Sequence, residues 1–305
     1  MEDTRRTSHR VCAVIPTYNR AELLCEALIG LAAQTRRLDA VLVIDNASTD
    51  GTTEQVSERF PWVNLLRLDF NTGSAGGFAA GIQWAYQDGH DWVWLVDNDS
   101  VPEPDALSEL LAAHDRFASE PRPDLLAAKV VWTDGTLLPM NTPTVKRRNP
   151  ALLYWAAEHA TLSIRYAPYT GVLVSRRAIE AHGLPLTDYF LYDDDTEYTG
   201  RILCNRLGVL VPTSVVRHNV ERKLASQAES GDRFFYALRN KLWLVRCAPG
   251  WAPLERVTFV LAVARNVARF LRRPSPVSKA ALVARALAAG LLRRPEPVQF
   301  PPGAP

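Results

Sequence analysis

Residues 92–100 read WVWLVDNDS, an apolar run from Trp92 to Val96 that passes directly into Asp97-Asn98-Asp99. Three earlier segments are built the same way. VCAVI (11–15) leads into PTYNR, AVLVID (40–45) into NASTDG, and VNLLRL (63–68) is followed by NTGSAGG. Helical patterns lie between them, over about 21–33, after Ser48 and over about 75–86. This alternation predicts an α/β fold with a mostly parallel central sheet and flanking helices. In such sheets ligands bind beyond the carboxyl ends of the strands, so the four polar ends should meet in one crevice.

Further along, residues 119–150 are rich in Pro, Asp and basic residues around one expected strand, LLAAKVVW (125–132), and read as a looped region. A strand GVLVS (171–175), a helix from Arg176, the acidic run DYFLYDDDTEYTGRI (188–202), a strand pair GVLVP (208–212) and SVVRH (214–218), and a helix over about 232–246 follow. After Pro249, Val257, Val260, Leu261, Ala264, Val267, Ala268 and Leu271 recur as one helical stripe, with Arg265, Arg269, Arg272 and Arg273 mostly off it. A Pro-Ser-Pro break at 274–276 separates a second amphipathic helix, Ser278 to about Leu292.

The chain of 305 residues is 47% hydrophobic and 22% charged, the balance of a folded globular protein. Its net charge of +2 is uneven: residues 251–305 carry 9 Lys and Arg against 2 Glu, and the part before them 26 against 31 Asp and Glu. Apolar residues accompany those basic charges and no nucleic-acid-binding module is visible, so the tail suits an anionic lipid surface and not nucleic acid. Packing on the domain with solvated arginines is the alternative. Cys12, Cys25, Cys204 and Cys247 are widely spaced, which indicates neither a zinc site nor a disulfide framework and fits a reducing cytoplasm. VCAVI is too short for a signal peptide's apolar region, and no apolar run approaches the roughly 20 residues of a membrane span, so the chain is expected to be neither exported nor membrane-spanning.

Two carboxylates with one residue between, Asp97 and Asp99, can hold a divalent cation that bridges two phosphates, and oxygen ligands suit Mn2+ or Mg2+. An acidic turn capping the next helix is the plainer alternative. Asp45 and Asn46 stand where a nucleoside would be gripped, with Thr17, Asn19 and Arg20 on the neighbouring strand end; capping by Asn46 or Ser48 competes with that reading. Gly73, Gly76 and Gly77 permit close backbone approach at a helix start, to a diphosphate or to a packed neighbour. Asp193, Asp194 and Asp195 raise one another's proton affinity, so one of them can act as a general base, while acids also suit a helix start. His218 ends a strand and can bind a metal through a neutral imidazole, or be structural. Trp155, Tyr166 and Tyr169 either stack on an acceptor sugar or fill the core.

Taken in order, IPTYNR, VIDNASTDGT, NTGSAGGFAAGI, WVWLVDNDS, YDDDTEY and RFFYALRN resemble glycosyltransferase family 2, whose fold is the nucleotide-diphosphosugar transferase fold GT-A. The resemblance spans about residues 10–246 and within the family is strongest to actinobacterial galactofuranosyltransferases and polyprenyl-linked rhamnosyltransferases. It implies that Asp45 binds base or ribose, that Asp97 and Asp99 are the metal-and-diphosphate motif with Asp99 the direct ligand, that Asp195 is the base with Asp194 as alternative, and that His218 adds a metal ligand. Two departures leave the sugar donor open: Asn98 stands where the galactan-initiating enzymes have an acid, and Asp193 replaces a small or aromatic residue.

The resemblance further implies an inverting, metal-dependent transfer from a nucleotide-diphosphate sugar, UDP-galactofuranose or dTDP-rhamnose, to a hydroxyl of a polyprenyl-linked glycan at the inner face of the plasma membrane. The expected organisation is a disordered start (1–9), a catalytic domain (10–250) with a nucleotide-binding half (10–118) and an acceptor-side half (119–250), a basic helical tail (251–294) and a disordered end (295–305). A silent scaffold with the same fold and a nucleotidyltransferase are the rival readings.

Overall fold

Along β1 (Val11–Thr17) every residue is buried and successive side chains serve opposite layers. Val11, Ala13 and Ile15 meet Leu24, Leu28 and Leu31 of α1 (Ala21–Ala32), whereas Cys12 and Val14 face Phe78 and Ile82 of α3 (Gly73–Gln87). A strand apolar on both faces belongs in the middle of a sheet covered on each side. The computed structural model describes residues 9–146, 149–219, 232–272 and 278–298. The alternation then runs through β2 (Ala40–Asp45), α2 (Thr52–Arg59), β3 (Asn64–Arg67) and β4 (Trp92–Leu95), close to the bounds read from the sequence. Next come β5 (Ser100–Pro102), α4 (Ala106–Arg116), β6 (Pro123–Val131), β7 (Thr144–Val145), α5 (Pro150–Glu158), β8 (Leu162–Tyr166), β9 (Val172–Ser175), α6 (Arg176–His182), α7 (Asp194–Ile202) and β10 (Leu207–His218). Three helices finish the chain: α8 (Arg233–Arg246), α9 (Pro253–Arg272) and α10 (Ser278–Leu292).

The sheet order is β3-β2-β1-β4-β9-β6-β10-β8-β7, with β5 also paired to β10. It is mixed, which corrects the mostly parallel sheet expected. β1, β2, β3 and β4 are parallel, as are β6 and β10, but β9 lies antiparallel between β4 and β6. A short apolar run buried on both faces, as β9 is, carries no mark of its direction. The two strands expected at 208–218 are one, β10, whose register with β6 slips between Val211 and Val215. Pro212 lies in that gap and has no N–H to give to a ladder.

The tail packs on the domain through one face of α9. Phe259 and Phe270 are buried, the latter stacked on Phe234 of α8 with ring centroids 3.8 Å apart. Trp251 lies against Gly200 of α7, where an added Cβ would be 2.6 Å from the indole. Arg165 joins the same corner: its guanidinium sits 4.0 Å over Trp251, pairs with Glu255 at 2.9 Å and donates to the carbonyls of Gly200 and Gly250. Trp251→Ala should therefore cost about 3–5 kcal/mol in a urea-unfolding measurement, the usual penalty for emptying a core aromatic site. Residues 295–298, expected disordered, are placed: the Glu296 N–H donates to Asp188 and Val298 packs on the core. The expected disorder at 1–8 and 299–305 and the break at 274–276 lie outside the described residues.

Candidate functional site

The carboxyl ends of β1, β2 and β4 and the start of α3 border a cleft of about 620 Å³. Thr17, Arg20, Asn46, Ser74, Asp97, Asp99 and His218 are among its lining residues. Asp97, Asp99 and His218 each offer a ligand atom, all within 4.8 Å of one another, which fits one divalent ion with mixed oxygen and imidazole donors. Residues behind them fix their orientation. Thr170 Oγ1 donates to Asp97 at 2.9 Å, Asn141 Nδ2 donates to Thr170 at 3.0 Å, and Asn141 Oδ1 lies 3.2 Å from His218 Nδ1. With its amide committed to Thr170, Asn141 presents only an acceptor, so His218 Nδ1 carries a hydrogen and Nε2 points at Asp99, 2.8 Å away. Arg20 lies 3.4 Å from the other Asp99 oxygen, and Asn98 turns away to donate to Thr17.

Burial pushes Asp97 up, helped by the Asp99 charge. Burial also raises Asp99, but the hydrogen bond and charge of His218, with Arg20, outweigh it and hold that carboxyl below the ordinary range. For His218 burial works against the charged form, and Asp99 more than offsets it, so its pKa lies above that of a free histidine. A proton and a metal thus compete for Nε2. Mn2+ affinity should rise with pH as His218 loses its proton, releasing about one proton per ion bound below that pKa; Mn2+ titrations at several pH values would show this, and a pH-independent affinity would remove His218 from the ligand set.

Other expected site residues are placed differently. Asp45 is fully buried and does not line the cleft; it accepts from the Ser48 N–H at 2.9 Å and Thr53 Oγ1 at 2.5 Å, with Arg67 at 3.7 Å. Its neighbour Asn46 does line the cleft while accepting from the Thr72 N–H and Oγ1. Asn19 ties the ends of β1 and β2 together, accepting from the Thr49 N–H at 2.7 Å. Gly76 and Gly77 serve packing, since added Cβ atoms would meet Thr72 Oγ1 at 2.3 Å and Pro16 Cβ at 2.7 Å. Trp155, Tyr166 and Tyr169 are absent from the cleft wall. Trp155 packs beside Phe117 and His159, Tyr166 against Trp251, and Tyr169 on Phe78.

The acids begin α7, behind a loop whose Phe190, Leu191 and Tyr192 line the cleft; Asp194 and Asp195 themselves are not among its lining residues. Asp194 is buried and accepts from Ser74 Oγ at 3.1 Å; Asp195 accepts from the Thr196 N–H at 2.6 Å. Burial and the neighbouring Asp193 push Asp195 up to about 7, and burial with the Asp195 charge lifts Asp194 well above the carboxylate range. Near neutral pH the pair therefore holds one firmly bound proton and one that is readily exchanged. Phe190, Tyr192 and Asp193 have positive φ of 61°, 68° and 60°, at about 1–3 kcal/mol each for a side chain held there. Phe190 also stacks on Tyr236, another cleft residue. Thr170, Asn141, Phe190 and Tyr236 were not singled out from the sequence, although Phe190 and Tyr236 lie in stretches noted there, DYFLYDDDTEYTGRI and RFFYALRN.

The Glycosyl transferase family 2 model matches residues 12–136. Those residues are a glycosyl transferase family 2 domain. Galactofuranosyltransferase GlfT1 of Mycolicibacterium smegmatis is 30% identical over 200 residues, which are 63% of this chain and 65% of that protein. The match thus spans under two thirds of that relative, and 64% of its Mycobacterium tuberculosis counterpart. The N-acetylglucosaminyl-diphospho-decaprenol L-rhamnosyltransferase of Mycobacterium tuberculosis is 29% identical over 236 residues, 68% of this chain and 75% of that protein. Among solved structures, TarS from S. aureus in complex with UDP aligns with TM-score 0.61 and 16% identity over 92% of this chain and 80% of its own. The mannosyltransferase PcManGT from Pyrobaculum calidifontis, in complex with GDP-Man and Mn2+, aligns with TM-score 0.55 and 21% identity over 93% and 81%. The family 2 domain thus sits in a GT-A fold, a mixed α/β sheet with flanking helices.

Proposed function

We propose that this chain is an inverting glycosyltransferase that moves a sugar from a nucleotide diphosphate to a hydroxyl of a polyprenyl-linked glycan. The observation that carries this reading is the convergence in one cleft of Thr17, Arg20 and Asn46 with Asp97, Asp99 and His218. Asp195 accepts the acceptor's hydroxyl proton as that oxygen bonds to the anomeric carbon and the bond from that carbon to the diphosphate breaks. Asp194 keeps its own proton and, anchored by Ser74, steadies the acid pair. A Mn2+ or Mg2+ ion held by Asp97, Asp99 and His218 would neutralise charge on the departing diphosphate. Arg20, beside Asp99, adds fixed positive charge on the same side.

Donor and acceptor follow the relatives: a galactofuranosyltransferase and a decaprenol-linked rhamnosyltransferase support UDP-galactofuranose or dTDP-rhamnose with a lipid-linked glycan. The test is a screen of both donors and common UDP-hexoses with Mn2+ or Mg2+ and N-acetylglucosaminyl-diphospho-decaprenol or its rhamnosylated form. Release of nucleoside diphosphate that needs donor, metal and acceptor together supports the transferase. Pyrophosphate release from a sugar phosphate and a nucleoside triphosphate would indicate a nucleotidyltransferase instead, and nucleotide binding without any turnover a silent scaffold.

We also place the chain at a membrane surface, on the cytoplasmic side. No described helix is long and apolar enough to cross a membrane. The face of α9 turned from the domain exposes Leu254, Val257, Val260 and Leu261 beside Arg265 and Arg269, the mixture that binds an anionic interface. Val257→Asp with Leu261→Asp should reduce flotation with anionic vesicles while leaving Trp251 and Phe259 packed. Equal flotation would remove the membrane from the proposal.

A further inference from the structure

Three consecutive residues of α8 close on the loop that leads into the acids. Arg239 Nη2 donates to the carbonyls of Asp188 and Tyr189 at 2.6 and 3.1 Å, and Lys241 pairs with Asp193. Between them Asn240 is wholly buried, with Nδ2 at 2.8, 2.9 and 2.7 Å from the carbonyl oxygens of Tyr189, Leu191 and Tyr192. Arg239 Nε donates to Asn240 Oδ1 at 2.9 Å, so the amide is oriented with both hydrogens towards the loop. On the opposite side the Ala75 N–H donates to the Phe190 carbonyl at 3.2 Å, tying the loop to α3 as well.

This loop needs such restraint. Phe190, Tyr192 and Asp193 all occupy the left-handed half of backbone space, which side chains avoid unless their surroundings over-determine them. The carbonyls that Asn240 gathers also point towards one another and would repel without a shared donor. The chain then passes directly into Asp194 and Asp195.

We propose that Asn240 is a positioning residue, whose carboxamide, by gathering the carbonyls of Tyr189, Leu191 and Tyr192, sets where the acid pair stands relative to Asp97, Asp99 and His218. The proposal deepens the reading of Asp195 as base and rests on it. The most informative change is Asn240→Asp, nearly identical in shape but lacking both donors and turning a carboxylate towards three carbonyl oxygens. Asn240→Ser, smaller and with one donor, is the milder partner should the first not fold.

The experiment compares both variants with Asp195→Asn by calorimetric binding of UDP with Mn2+, by turnover of UDP-galactofuranose and dTDP-rhamnose with N-acetylglucosaminyl-diphospho-decaprenol and its rhamnosylated form, and by hydrogen exchange over residues 190–196. Expected for Asn240→Asp are parental UDP–Mn2+ binding, faster exchange in that segment and a fall in kcat of about 10²-fold at unchanged donor KM, the cost of misplacing a reacting group by about 1 Å. Asn240→Ser should fall between it and the parent. A folded variant with parental kcat, or a loss confined to UDP–Mn2+ affinity, overturns the proposal. Parental turnover in Asp195→Asn overturns the base assignment instead, and the exchange data then decide the anchoring: unchanged exchange in Asn240→Asp overturns that too.

Discussion

Asp195→Asn should lower kcat by about 10²–10⁴-fold while UDP and Mn2+ still bind, because the change removes a proton acceptor and little else. The amide keeps the size of the carboxylate, and its oxygen can still accept the 2.6 Å bond from the Thr196 N–H in the first turn of α7. The parent's kcat should also fall as pH drops through about 7, the value to which burial and Asp193 raise this carboxyl. The sign follows from the role: a base must be ionised to take a proton, so activity is present above that pKa and lost below it. The residual activity of Asp195→Asn should lack this acidic limb. If the variant retains full turnover, Asp194 or the substrate supplies the base.

Asp99→Asn should reduce Mn2+ affinity by more than about 10²-fold, since removing a residue that merely orients a ligand already costs about 10–100-fold. Asp99 is the hub of the cluster, 2.8 Å from His218 and 3.4 Å from Arg20. Its loss takes the direct carboxylate partner from Arg20 and His218 and leaves Asp97 as the one carboxylate of the cluster, so the site is less negative where an ion should enter. Asn141→Ala is the graded control: it leaves all three ligands in place, removes the acceptor behind His218 and the donor to Thr170 behind Asp97, and should lie within the 10–100-fold range. Both effects can be read directly by Mn2+ titration without any sugar donor. Equal affinities in Asp99→Asn and the parent would show that the ion is held elsewhere.

Asp97 and Asp99 were legible because a D-x-D at the end of an apolar run is both a local signal and a statement about place, the crevice end of a parallel strand. Asn46 and Arg20 were legible for the same reason. Asp45 shared that signal and yet faces inwards, because one strand end has two sides and a turn with Ala47 at φ 60° decides which residue reaches the cleft. Thr170 and Asn141 stand behind Asp97, Asp99 and His218 from segments with no periodicity, so only folding assigns them. His218 became conspicuous through resemblance, since a lone histidine at a strand end is otherwise ambiguous. The direction of β9 was set by tertiary packing, whereas α5 carries a local signal that the reading passed over, Asn149 capping the Leu152 N–H with Pro150 at the first helical position.

The indole of Trp251 is a mechanical spacer between α7 and the start of α9. It is wedged against Gly200, two residues from the end of the helix that begins with Asp194 and Asp195, and it lies two residues before α9. A protein interior packed at crystal density has no slack to absorb a displacement there. Any load that tilts α9 would therefore reach the acid-bearing helix through Trp251 and through Arg165, which joins Glu255 of α9 to the Gly200 carbonyl of α7, so on the proposed reading the grip on a surface and the alignment of the chemistry are one adjustment.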